Sequence, residues 1–109
     1  MTLTNIPFGT IDWAGVAGSV HRGERGTATW RTLQLGELRL RIVDYSPGYI
    51  ADHWCAKGHV VYCLQGELVT ELRDGRRYTL TAGMSYHVAD DETPHRSQTE
   101  AGARVFIVD

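Results

Sequence analysis

The run from Gly48 to His59 reads Gly-Tyr-Ile-Ala-Asp-His-Trp-Cys-Ala-Lys-Gly-His, and it places two imidazoles and a thiol close together. His53 and Cys55 are two residues apart, so on an extended strand both side chains fall on one side. His59 opens the next apolar stretch, in which His59, Val61 and Cys63 share one face and Val60, Tyr62 and Leu64 the other. A turn at Lys57-Gly58 is expected to pair the two strands and carry His59 beside His53 and Cys55. His95, after the loop that ends at Pro94, is the fourth candidate. Imidazole and thiolate are good ligands for divalent transition metals such as zinc, iron, copper or nickel. Magnesium and calcium prefer oxygen ligands. His53, Cys55, His59 and His95 are therefore the candidate metal ligands, and a bound metal would hold Cys55 as thiolate.

Around these lie residues with a second kind of role. Asp44, Tyr86, His87 and Arg96 are the candidates for substrate contact. Arg96 suits a substrate carboxylate, or a structural ion pair. Metal-bound histidines donate their other ring nitrogen to a partner, for which Asp44 and Gln65 are the candidates. Asp52 adjoins His53 but faces the other way on an ideal strand, so it is a poor partner unless a bulge intervenes. Trp54 and Tyr62 point away from the ligand face. Trp30, Tyr86 and Met84 belong to the core or to a pocket mouth. Cys63 reads as a small buried filler, His87 as an ordinary hydrogen-bonded histidine as readily as a ligand, and His21 as a solvated loop residue.

The elements that position these groups read as β throughout. Ala28 to Leu35 is one strand. Leu38, Leu40 and Ile42 alternate with Arg39, Arg41 and Val43, which predicts that the leucine face is buried and the arginine face wet. Ser46-Pro47-Gly48 is a turn. Strands are then expected over Tyr49 to Cys55, His59 to Leu64 and Leu68 to Leu72. Asp74-Gly75 is a hairpin signal. Arg77 to Leu80, Met84 to Val88, Pro94 to Thr99 and Ala103 to Val108 complete about ten short antiparallel strands, the pattern of a barrel or double-sheet jelly roll. Ahead of them, Ile6, Phe8, Ile11 and Trp13 form an apolar arm, with Asp12 placed to cap a helical turn at Trp13 to Val16.

The chain's 109 residues suit one domain, divided here into an arm over 1–26 and a barrel over 27–109. Formal net charge is −2, so the basic field of a dedicated nucleic-acid binder is absent. No apolar run reaches the roughly 18 residues a membrane helix needs, and no signal peptide is visible. A cytoplasmic location is expected, where both cysteines stay thiols. A homodimer is expected from the apolar arm.

The spacing resembles the two short motifs of the cupin superfamily. Gly48 leads the first, His53-Trp54-Cys55 stands where a His-x-His is usual, His59 stands at the usual glutamate, and Gly66 follows. Gly83 through Pro94-His95-Arg96 resembles the second, with His95 at its histidine. More closely, Asp52-His53-Trp54-Cys55, Asn5-Ile6-Pro7-Phe8 and Pro94-His95-Arg96-Ser97 resemble a group of small single-domain cupins with a DHCW motif, and the likeness covers nearly the whole chain. It implies an all-β, double-stranded β-helix (jelly-roll) barrel. Cysteine for the second histidine and histidine for the glutamate imply a softer, less anionic site, which favours zinc, copper or iron over manganese.

Three functional readings follow. The first is a small metal-dependent enzyme acting on a small organic molecule at an open coordination position. The second is a non-catalytic sensor or carrier with a closed four-ligand site. The third needs no metal, with Cys55 activated by His53 or His59 as a nucleophile or redox thiol.

Overall fold

The computed structural model describes residues 3–109. Asp12 caps a 3-10 turn over Trp13–Gly15, its side chain accepting from the Ala14 amide. Eight strands follow: β1 (Gly18–Arg22), β2 (Thr27–Leu35), β3 (Leu38–Tyr45), β4 (His59–Leu72), β5 (Arg77–Thr81), β6 (Ser85–Val88), β7 (His95–Gln98) and β8 (Ala103–Val108). All pairings are antiparallel.

The long strand β4 belongs to both sheets. Its first half pairs with β8 and β6, continuing a sheet with β3, β2 and β1. Its second half pairs with β5 and β7. The handover falls at a register shift between Cys63 and Gln65, as expected of a bulge that bends a strand from one sheet into the next. Gly66 takes the left-handed conformation there at φ 78°, and a Cβ on it would lie 2.2 Å from the Gly102 carbonyl oxygen. Only glycine fits that close approach. The core between the sheets is built on Val43, Val61, Cys63, Leu68 and Val105.

Four sequence expectations need correction. The strands number eight, because His59 to Leu64 and Leu68 to Leu72 are one bent strand. Tyr49 to Cys55 is not a strand: Ile50 and Cys55 make only isolated bridges, and Cys55 pairs with His95 rather than across a turn with His59. The phase of β3 is opposite to expectation. Arg41 and Val43 are its buried residues, while Leu40 and Ile42 stay half-exposed. On the outer face of this sheet the arm covers part of the apolar surface: Trp13 packs edge-on against Phe106, which sits beside Ile42. Finally, β1 lies inside the stretch assigned to the arm, and His21 on it stacks on Trp30 at 3.9 Å.

Candidate metal centre

Three of the four residues expected as ligands converge. One side-chain ligand atom from each of Cys55, His59 and His95 lies within 4.8 Å of the others. Each arrives by a different route. His59 is the first residue of β4, and Gly58 lets the chain enter tightly, since a Cβ there would lie 2.4 Å from the Asp90 amide nitrogen. His95 opens β7 and is 2% exposed. Cys55 is held against it by reciprocal backbone hydrogen bonds of 2.7 and 3.0 Å. The pairing joins positions 40 residues apart, which spacing along one strand cannot reveal.

The fourth, His53, stands aside. Its side chain is 76% exposed, and its Nδ1 lies 2.6 Å from Asp52 Oδ1. The partnership judged poor on an ideal strand forms because residues 51–54 are an irregular bend. His53 still lines the same cavity. Asp44 is not in the cavity wall; it takes Arg31 and Arg104 in ion pairs of 3.2 and 2.6 Å. His87 is exposed and lies on the other face of β6 from Tyr86. Tyr86 is in the site, with its hydroxyl 3.0 Å from His59 Nε2. Arg96 lines the cavity while holding Glu71 at 3.0 Å and lying over the Trp54 ring at 4.7 Å. Cys63 is fully buried, and burial pushes its thiol up.

The proton geometry suits a cation. His95 Nδ1 lies 2.7 Å from the Thr93 carbonyl oxygen, an acceptor only, so Nδ1 carries a proton and Nε2 is left to face the centre. There it meets His59 Nε2 at 2.9 Å. Two ring nitrogens at that distance share one proton or repel each other through their lone pairs, unless a cation sits among them. Burial, reinforced by His95, lowers the His59 pKa to about 4, so this ring is neutral at pH 7. His95 and Cys55 shift in opposite directions. The imidazole holds the thiol below its ordinary value, and the sulfur raises the imidazole. Each shift favours the charged form of its group, and a metal bound by both would take the place of a proton. Burial drives the Tyr86 hydroxyl far above its ordinary range, so it remains a donor.

Behind the cluster lie residues that the sequence reading missed. Asp109, with a side chain 1% exposed, accepts from Arg39 at 2.8 and 2.9 Å and from Arg41 at 3.0 Å. Among the described residues His59 Nδ1 has no hydrogen-bond partner, and Asp109 Oδ2 lies 3.8 Å from it. The available signal was the every-second-residue row Arg39, Arg41, Val43, Tyr45. The cavity encloses about 230 Å³ between the sheets, with Trp30, Tyr45 and Tyr49 among its walls.

No protein-family model matches the chain, and no curated protein does. Solved structures do. The chain is similar to the polyketide cyclase RemF from Streptomyces resistomycificus, with TM-score 0.78 and 21% identity over 94% of this chain and 78% of that one. It is similar to a predicted oxalate decarboxylase from Thermotoga maritima, with TM-score 0.77 and 15% identity over 91% and 96%. A cupin-2 domain protein from Shewanella frigidimarina aligns with TM-score 0.61 and 18% identity over 73% and 78%. These identities speak for the fold alone, and together with the antiparallel two-sheet barrel they make the chain a small protein of cupin fold.

Proposed function

We propose that this is a metal-dependent enzyme of the small, DHCW-motif cupin kind, with a divalent transition metal held by Cys55, His59 and His95 and a small organic substrate in the adjoining cavity. The carrying observation is the convergence of those three side chains within 4.8 Å in the cavity wall. One thiolate and two imidazoles favour zinc, copper or iron. With His53 engaged on Asp52, the ligand set has three members, as in catalytic rather than closed structural sites. When bound, such a metal polarises a donor atom of the substrate as a Lewis acid. The protein's own share is positional. Thr93 orients the His95 ring, the buried His59 presents a neutral nitrogen, and Tyr86 keeps a hydroxyl proton beside it for the ligand.

The test is metal content per chain by elemental mass spectrometry, on untagged protein purified without added metal, beside Cys55→Ser. About one equivalent in the parent and much less in the variant supports the reading. No metal in either, even after reconstitution with zinc, iron, copper and nickel, removes it. The third reading, which needs no metal, would then stand on the Cys55–His95 pair, in which the imidazole lowers the thiol's pKa and the sulfur raises the imidazole's. A homodimer belongs to the same proposal. It rests on the exposed apolar residues Phe8, Val20 and, on the outer face of β4, Val60, Tyr62 and Leu64, and light scattering tests it.

A further inference from the structure

The cavity beside the cluster is lined by four cationic side chains, Arg39, Arg41, Lys57 and Arg96, and among the described residues no carboxylate lines it. Asp109 stands behind Arg39 and Arg41 and is, among the described residues, the one side-chain carboxylate paired with both. Among the described side chains, two guanidinium ions share this one carboxylate, which leaves one positive charge without a side-chain counter-ion. The imbalance sits mainly on Arg41, which is 6% exposed, whereas the Arg39 side chain is 34% exposed and shares its charge with water. Arg41 makes one side-chain hydrogen bond among the described residues, from Nη2 to Asp109, and its Nε has none. Its guanidinium lies over the Trp30 ring at 4.6 Å. A guanidinium has five N–H donors, and burying it short of acceptors is costly.

We propose that the cavity binds a small, planar organic carboxylate and that Arg41 recognises the carboxylate group. This deepens the reading above by naming its substrate class, and it rests on that reading for the chemistry though not for the binding. An incoming carboxylate supplies both the missing charge and acceptors in a planar, bidentate form that matches a guanidinium. The walls favour a flat apolar body, because Trp30, Tyr45, Tyr49 and Ile107 face the same space. Burial raises the Tyr45 hydroxyl to about 12, so it stays neutral and does not repel an anion. Size sets the scale: a 150 Å³ apolar cavity holds benzene, so about 230 Å³ accepts a molecule the size of benzoate.

Benzoate and benzamide, equal in shape and different in charge, are the probes. Titration calorimetry on the zinc-loaded protein is expected to show benzoate binding at least about tenfold tighter, or about 1.4 kcal/mol. Arg41→Gln is expected to abolish that preference, and Arg41→Lys, which keeps the charge but loses the planar fork, to reduce it severalfold. Zinc content and circular dichroism are measured on the same samples. Equal binding of the two probes, no benzoate binding, or an undiminished preference in both folded Arg41 variants overturns the proposal. Should Arg41→Gln fail to fold, the comparison on the unmutated protein and Arg41→Lys still decides. One equivalent of zinc without benzoate preference removes the carboxylate site and leaves the metal reading. Benzoate preference in a protein that takes no zinc does the reverse.

Discussion

Replacing Asp109 with asparagine removes the only side-chain carboxylate that pairs with Arg39 and Arg41 among the described residues, while keeping nearly the same volume. The Asp109 side chain is 1% exposed and that of Arg41 7%, so this pair is shielded from water. Breaking a buried pair by neutralising one partner costs roughly 3–5 kcal/mol, because the other charge stays buried. The Arg39 arm adds little, since at 34% exposure it is screened. The lower figure, about 3 kcal/mol, is the appropriate estimate, because the asparagine oxygen can still accept one bond. A chain of 109 residues has an unfolding entropy of about 230 cal/mol/K at roughly 2.1 cal/mol/K per residue, so Tm should fall by about 13 °C. The pH dependence gives an independent check. Burial works to raise the Asp109 carboxyl, but the Arg39 hydrogen bonds and the charges of Arg41 and Arg39 hold it below its ordinary value. A depressed carboxylate contributes stability that is full above its unfolded pKa of about 3.9 and is lost as pH falls through the folded value. Between pH 7 and pH 3, thermal melts of the parent should therefore lose ground on Asp109→Asn, and the gap between them should narrow below about pH 4. A variant within about 3 °C of the parent at pH 7, with a parallel acid limb, would refute the assignment of a buried, charge-bearing Asp109.

Further predictions concern the cluster and the fold. His53→Ala should keep the metal stoichiometry of the parent, because His53 is turned to Asp52; loss of metal equal to that of Cys55→Ser, read by elemental analysis, would make it a fourth ligand. In metal-free protein, alkylation of Cys55 by iodoacetamide should reach half-maximal rate below the ordinary thiol pKa of about 8.5, since His95 lowers its pKa. His95→Gln should move that midpoint up, and an unmoved midpoint would dismiss the pair. Cys63 should stay unlabelled in the same experiment until the protein unfolds, being fully buried. Gly66→Ala combines a left-handed φ of 78° with a Cβ 2.2 Å from the Gly102 carbonyl oxygen. It should cost more than the roughly 1–3 kcal/mol of backbone strain alone in urea unfolding, and a loss under 1 kcal/mol would mean that the bulge relaxes freely.

Strand content was legible in the sequence because alternation and turn chemistry are local. Asp74-Gly75 forms its turn with Gly75 at φ 98°, and Asp12 caps the turn at Trp13 as read. The cupin resemblance set His59 in the first motif and His95 in the second, and the fold brings their ring nitrogens to 2.9 Å. Phase was not. A row of two arginines, Val43 and Tyr45 reads as a wet face, and only the fold shows that its charges turn inward toward Asp109, 68 residues from Arg41. Alternation states which residues share a face, whereas the side that face occupies depends on what covers the other. Here the arm brings Trp13 onto Phe106 and covers part of the apolar side.

The sequence by itself determined the inventory: β-strands, the turns between them, and a few soft ligands in two short runs. The tertiary structure alone decided the set that converges. Cys55 reaches His95 through an isolated bridge between a bend and β7, and His53, two residues from Cys55, turns to Asp52 instead. The reason is that side-chain direction follows from φ and ψ. Those angles are predictable along a regular strand, but at residues 51–54 they are set by contacts with distant parts of the chain.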